Sequence, residues 1–110
     1  DQNVMQAAYL CDLVDADPRL ELWPGRAINI VCYRYNPGRL TAEALKRINT
    51  EIMLRMQEDG SAAVSDTTVH GEHFLRVAIN NHRTVGDDLE FLVAETVRLG
   101  DAIVGEEGTG

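Results

Sequence analysis

The sequence predicts an α+β fold with two layers, in which three helices cover one face of a small, mainly antiparallel four-stranded sheet. Apolar residues recur at helical spacing in three segments and favour strands in four short ones, in the order helix, strand, strand, helix, strand, strand, helix. Consecutive strands favour antiparallel pairing. With 110 residues and 45% hydrophobic side chains, the chain has the size and composition of one domain. No helix remains to cover the second face of the sheet.

The first half of the chain predicts one helix and two strands. The helix covers residues 2–16 and ends at Asp17, because a residue before proline is disfavoured in the helical region. A short strand is predicted at residues 20–23. The most strand-like run follows at residues 27–35 and carries apolar side chains on both faces. We therefore expect this second strand to be central and covered on both sides.

A turn and a second helix follow this strand. Pro37 and Gly38 fit the second and third positions of a type II turn, where glycine supplies the positive φ. Thr41 is the predicted N-cap of a helix that runs to about residue 59. The apolar stripe of this helix is expected to pack on the sheet and contains Leu45, Ile48, Ile52 and Met56.

The last two strands are predicted to form a hairpin. They cover residues 62–69 and 73–79, and a type II′ turn that begins at Gly71 is expected to join them. Pairing from that turn sets Thr67 opposite Arg76.

A final helix, capped by Thr84, is expected to close the domain. Its inner stripe contains Leu89, Leu92, Val93, Thr96, Leu99, Gly100 and Ile103. The sequence thus predicts a domain at residues 1–104, followed by a disordered tail at residues 105–110.

Charge and composition restrict the function. The formal charge of −8 disfavours nucleic acid and anionic membranes as partners, since both require a basic surface. No apolar run reaches membrane-spanning length, and we expect a soluble, cytoplasmic protein. Cys11 and Cys32 lie among apolar residues and are expected to be reduced core thiols. The chain begins with Asp1 inside what reads as a helix, so we expect it to be part of a longer polypeptide.

The sequence shows no catalytic set of its own. His70 and His73 flank the hairpin turn without a third metal ligand nearby, so no metal site is predicted. Glycine-patterned phosphate loops are absent, and Ser61 and Ser65 lack the context of a nucleophile.

Arg76 is the one side chain that suggests a function. In a strand, Leu75 and Val77 share one face, while Phe74, Arg76 and Ala78 share the other. This second face is apolar at both ends, which is typical of a covered surface. A covered arginine needs a carboxylate, a phosphate or several carbonyl oxygens, because it cannot lose its proton. From the strand alone, an arginine on a solvated sheet face is the more common case.

Several segments resemble the C-terminal domain of pyridoxal-phosphate-dependent group II amino acid decarboxylases, the family of the aromatic-L-amino-acid and glutamate decarboxylases. They are NIVCYRYNPG at 29–38, LKRINTEI at 45–52, FLRVAINNHRT at 74–84, DLEFL at 88–92 and RLG at 98–100. The resemblance covers nearly the whole chain in order, from the first helix to Ile103. It implies the small C-terminal domain of a homodimeric amino acid decarboxylase that releases CO₂ from its substrate, which could be aromatic.

The resemblance also assigns roles to residues. In this family, pyridoxal 5′-phosphate is bound by a large preceding domain with a Schiff-base lysine. Lys46, the only lysine here, matches a surface position, so the fragment is expected to be inactive alone. Arg76 matches the arginine thought to lie near the substrate carboxylate, which favours a functional role. His82 and Arg83 are candidates for the boundary with the large domain.

Two alternatives to a decarboxylase domain remain open. The chain could be an independent ligand-binding or dimerisation domain, whose uncovered sheet face binds a partner. The full-length protein could also perform the aldehyde-forming oxidative deamination seen in relatives of the same family.

Overall fold

The computed structural model describes residues 2–23, 30–58, 64–78 and 86–108. Its helices and strands follow the predicted order, and the two-layer α+β fold is confirmed. The elements are helix α1 (Gln2–Asp15), strand β1 (Leu20–Leu22), strand β2 (Ile30–Tyr35), helix α2 (Ala42–Glu58), strand β3 (Val64–Val69), strand β4 (Glu72–Ala78) and helix α3 (Gly86–Gly108).

The four strands form one sheet in the order β1-β2-β4-β3, and all neighbours are antiparallel. The chain crosses from β2 through α2 to the edge strand β3, and the hairpin then returns β4 to the centre beside β2. This arrangement splits a strand-helix-strand unit by inserting a strand between its two strands. As a result, the strand that carries Arg76 is central and has a hydrogen-bonded neighbour on each side.

The three helices pack against one face of this sheet. The side chains that point towards the helices are at most 5% exposed. They are Val31 and Tyr33 of β2 and Leu75 and Val77 of β4. Tyr33 reaches α3, where its Oη lies 2.8 Å from Oγ1 of the buried Thr96. The predicted stripes of α2 and α3 are confirmed as buried, and their members are Leu45, Ile48, Ile52, Met56, Leu89, Leu92, Val93, Thr96, Leu99, Gly100 and Ile103.

Two predicted local signals are also confirmed. Gly38 has a φ of 101°, and its N–H donates to Oδ1 of Asn36 at 3.0 Å. Thr41 caps α2, because its Oγ1 accepts a hydrogen bond of 3.1 Å from the N–H of Ala44. These two interactions fix where β2 ends and where α2 begins.

The hairpin turn differs from the prediction. Val69 pairs with Glu72, so the two-residue loop is His70-Gly71, and both residues have positive φ values of 51° and 80°. This loop is a type I′ turn, whose twist matches that of the strands. The predicted type II′ turn starting at Gly71 is therefore wrong by one residue, because His70 adopts the left-handed conformation.

The pairing of β3 with β4 is therefore shifted by two residues from the predicted register. Because the shift is an even number, each side chain stays on the predicted face of the sheet. Ser65, rather than Thr67, is the partner of Arg76 on β3. Asp66, which the strand places on the helix side, lies at the edge of the sheet and binds Nε2 of His73 at 3.0 Å.

The last helix continues beyond the predicted domain end at residue 104. Residues 105–108 are helical in α3, although the sequence predicts a disordered tail there. The extension is stabilised by Glu106, whose Oε1 lies 3.3 Å from Nη2 of Arg55 on α2. Thr84, the predicted cap of this helix, lies outside the described residues. Within the described ranges, no helix has the length and apolar character needed to cross a membrane.

Candidate functional site

The sheet face that points away from the helices is the candidate site, and we call it the outer face. Alternation places Cys32 and Arg34 of β2 and Phe74, Arg76 and Ala78 of β4 on this face. Phe74 and Cys32 are buried without belonging to the core cluster formed with the helices. The outer face is therefore separate from the hydrophobic core.

Arg76 lies at the middle of the outer face. Its Cα partners are Cys32 on β2 and Ser65 on β3, and its side chain is half-buried. Within the described part of the chain, Arg76 forms neither a hydrogen bond nor an ion pair. Burial raises the pKa of the Cys32 thiol, and the positive charge of Arg76 only partly offsets this effect. The charge of Arg76 thus lowers the pKa of the Cys32 thiol, and no acid in the described ranges neutralises this charge.

The outer face carries a second arginine, Arg34, which the sequence analysis does not predict as a site residue. Arg34 is only 7% exposed, and its Nε donates to Oε1 of Glu21 at 2.9 Å. Its Nη2 lies 3.7 Å from Oε1 of Glu72, and its guanidinium carbon lies 4.6 Å from the centroid of the Phe74 ring. One feature of the sequence indicates the position of Arg34. It lies two residues after Cys32, and side chains two residues apart in a strand share a face.

Glu21 is held ionised beside Arg34. It accepts hydrogen bonds from Arg34 and from Nδ2 of Asn36, at 2.9 and 2.7 Å. Burial raises the pKa of Glu21, but the two hydrogen bonds and the charge of Arg34 outweigh it and lower the pKa below its ordinary value. The charge of Arg34 is therefore balanced within the chain.

An aromatic cluster covers the same half of the outer face. The centroids of the Trp23 and Phe74 rings lie 5.8 Å apart in an edge arrangement, and the centroids of the Trp23 and His70 rings lie 5.3 Å apart. Phe74 is consequently 1% exposed, although it lies on the side of the sheet away from the three described helices. By contrast, Ile30, Arg76 and Ala78 at the other half remain half-buried. The part of the outer face around Arg76 is thus the part left open.

A cleft of about 470 Å³ lies where the hairpin meets the start of α2. Arg34, Lys46, Glu43 and Glu72 contribute charges of both signs to its walls. No group of three or more potential metal ligands occurs in the ranges that the structure covers. The mixed charge does not indicate a particular ligand.

The described residues do not fit a pyridoxal-phosphate site. Lys46 is the only lysine of the chain, and it is exposed on α2, a helix that packs on the face of the sheet opposite Arg76. The predicted boundary residues His82 and Arg83 lie outside the described residues. Of the sequence-predicted site residues, the structure therefore describes Arg76 alone.

Comparison with known proteins indicates the family. The chain is 34% identical to tryptophan decarboxylase 1 of Oryza sativa subsp. japonica over 83 residues, which are 72% of this chain and 16% of that protein. It is 29% identical to tyrosine decarboxylase 4 of Petroselinum crispum over 86 residues, which are 74% of this chain and 17% of that protein. No protein-family model matches the chain.

The fold agrees with these relatives. The crystal structure of Oryza sativa TDC with PLP and tryptamine superposes with a TM-score of 0.83 and 26% identity, and the match covers 93% of this chain and 22% of that one. The chain belongs to the group II pyridoxal-phosphate-dependent amino acid decarboxylase family. Within this family it corresponds to the small C-terminal domain. It spans about one sixth of the length of the two curated decarboxylases that it matches.

Proposed function

We propose that the full-length protein is a pyridoxal-phosphate-dependent L-amino acid decarboxylase that releases CO₂ from an aromatic amino acid. This chain would be its C-terminal domain. The proposal is supported by the similarity to the tryptophan and tyrosine decarboxylases over more than two thirds of the chain. The cofactor, bound elsewhere in the protein, would accept the electrons released as the carboxylate leaves.

The contribution of this chain is the binding of the substrate carboxylate by Arg76. The observation that carries this role is a permanently charged guanidinium at the centre of the outer face, half-buried and without an acid partner among the described residues. A guanidinium can bind a carboxylate through two parallel hydrogen bonds, which fix its orientation as well as its position. Orientation matters because only a correctly aligned bond to the departing carboxylate can break readily.

The large domain is the proposed cover of the open half of the outer face. Arg76 would then point across the domain boundary, and His82 and Arg83 would lie near the same boundary. A lysine for the Schiff base would come from that domain, since Lys46 does not fit this role. We further propose that the full-length protein is a cytoplasmic homodimer.

The reaction is tested with the full-length protein, pyridoxal phosphate and either L-tryptophan or L-tyrosine. We expect stoichiometric release of CO₂ and the corresponding amine. An aldehyde in place of the amine would assign the protein to the aldehyde-forming reaction instead. Failure to transform these or other L-amino acids would contradict the proposed activity.

A further inference from the structure

We infer that Arg34 is a positioning residue for Arg76. Arg34 holds Phe74, and Phe74 fixes the segment of β4 from which Arg76 projects. The inference rests on the proposed function, since it takes Arg76 as the residue that binds the substrate carboxylate. It assigns a role to a side chain that would not itself touch the substrate.

The burial of Arg34 is the first observation. A guanidinium remains charged in the protein, so its burial requires compensation from acids or from aromatic faces. Arg34 is 7% exposed on the face opposite the three described helices, and it obtains that compensation from Glu21, Glu72 and the Phe74 ring.

The second observation is the path from Arg34 to Arg76. Phe74 and Arg76 are two residues apart on β4 and lie on the same face. The guanidinium carbon of Arg34 lies 4.6 Å from the centroid of the Phe74 ring, and the centroids of the Trp23 and Phe74 rings lie 5.8 Å apart in an edge arrangement. Phe74 is thus held by two side chains. Its backbone is fixed one outer-face position away from Arg76.

The pairing of β2 with β4 also connects Arg34 to Arg76. Cys32 is the direct partner of Arg76, and Arg34 is the next outer-face residue on that strand. The N–H of Trp23 also donates a hydrogen bond of 2.9 Å to the carbonyl oxygen of Cys32. Trp23 is therefore bonded to the residue that pairs with Arg76 across the two strands. Loss of Arg34 would therefore free Phe74 and Trp23 together and loosen both strands beside Arg76.

Arg34 itself is poorly suited to bind the substrate. Its Nε is already bonded to Glu21, and two carboxylates lie within 3.7 Å of its nitrogen atoms. A substrate carboxylate would have to displace an acid of the chain. Arg76 has no such competitor among the described residues, so the two arginines of the outer face divide positioning and binding between them.

A double-mutant cycle in the full-length enzyme tests this division. The variants are Arg34→Ala, Arg76→Ala and the double variant, with Arg55→Ala as the control. Arg55 pairs with Glu51 and Glu106 in the helix layer, so its loss removes ion pairs away from the outer face. We expect Arg34→Ala to lower kcat/KM on the order of 10 to 100-fold, because small displacements of a binding group have effects of this size.

The decisive readout is the coupling between the two arginines. In the Arg76→Ala background, Arg34→Ala should lower kcat/KM less than twofold, because no binding group remains to be positioned. Arg55→Ala should leave kcat/KM within twofold in both backgrounds. Arg34→Lys, which retains a cation beside Glu21, should recover part of the lost kcat/KM. Phe74→Leu should resemble Arg34→Ala and replaces it if that variant does not fold.

The outcomes separate this inference from the proposed function. Equal losses from Arg34→Ala in both backgrounds would overturn the positioning role, since they indicate a purely structural effect. An unchanged kcat/KM in Arg34→Ala would overturn it as well. If Arg76→Ala itself keeps full activity, then the proposed role of Arg76 fails and the inference fails with it.

Discussion

Arg34 and Arg76 project from neighbouring central strands on the same outer face, but only Arg34 is paired with carboxylates in the described part of the chain. The positive charge of this face is therefore concentrated at Arg76. In a chain of net charge −8, this concentration favours binding of an anionic group at one place rather than over a surface.

Contact between Gly100 and Tyr35 gives the first prediction. A methyl group at Gly100 would overlap the Tyr35 ring, whereas one at Gly105 on the same helix would meet no atom within 4 Å. Gly100→Ala should lower the free energy of unfolding by about 1–3 kcal/mol because it overpacks a buried contact. Gly105→Ala should raise it by up to about 1 kcal/mol, since alanine favours a helix. Urea unfolding of both variants measures the effect, and equal changes would contradict the packing.

The buried phenol of Tyr33 predicts a loss of stability at high pH. Burial raises the pKa of Tyr33 to about 12, above the ordinary value of about 10. The folded protein holds this proton more tightly than the unfolded chain does, so the stabilisation is complete below pH 10 and is lost as the pH rises towards 12.

Tyr33→Phe isolates this effect from other titrations. Between pH 8 and pH 11, wild type should lose about 1 kcal/mol more unfolding free energy than the variant. At pH 8 the variant itself should be less stable by about 1 kcal/mol, because the hydrogen bond to Thr96 is missing. Parallel pH profiles for the two proteins would show that the Tyr33 proton is not linked to folding.

Among the substitutions in the helices, we expect replacement of Asn49 to cause the largest loss of unfolding free energy. Asn49 is fully buried, accepts a hydrogen bond from the N–H of Tyr35 and donates to the carbonyl oxygens of Tyr35 and Leu45. Asn49→Leu should lower the unfolding free energy by about 2–4 kcal/mol, because it leaves buried backbone groups of β2 without partners. Lys46→Ala, at an exposed position of the same helix, should change it by less than about 0.5 kcal/mol. A neutral Asn49→Leu variant would contradict the assigned network.

Elements governed by neighbouring residues could be predicted from the sequence. The stripe from Leu45 to Met56 follows from helical spacing, and Thr41 and Gly38 have local chemical reasons for their positions. The placement of Arg76 on the face away from the helices follows from the same alternation that buries Leu75. These features depend on only a few consecutive residues.

Features set by distant contacts could not be predicted in this way. The central position of β4 depends on its pairing with β2, more than 40 residues earlier in the chain. The ion pair of Arg34 depends on Glu21, 13 residues earlier, and on a cross-strand register unknown from the sequence. The hairpin turn differs from the predicted one because His70 adopts a positive φ, which is uncommon for a residue other than glycine.

The most direct test of the account is the activity of the full-length enzyme with Arg76→Ala, compared with Arg98→Ala as a control. Arg98 is exposed on α3 and pairs with Glu95, so its loss should leave turnover unchanged. For Arg76→Ala we predict a fall in kcat/KM on the order of 100-fold or more, with cofactor absorbance and thermal stability retained. An Arg76→Ala enzyme with the kcat/KM of wild type would contradict the account.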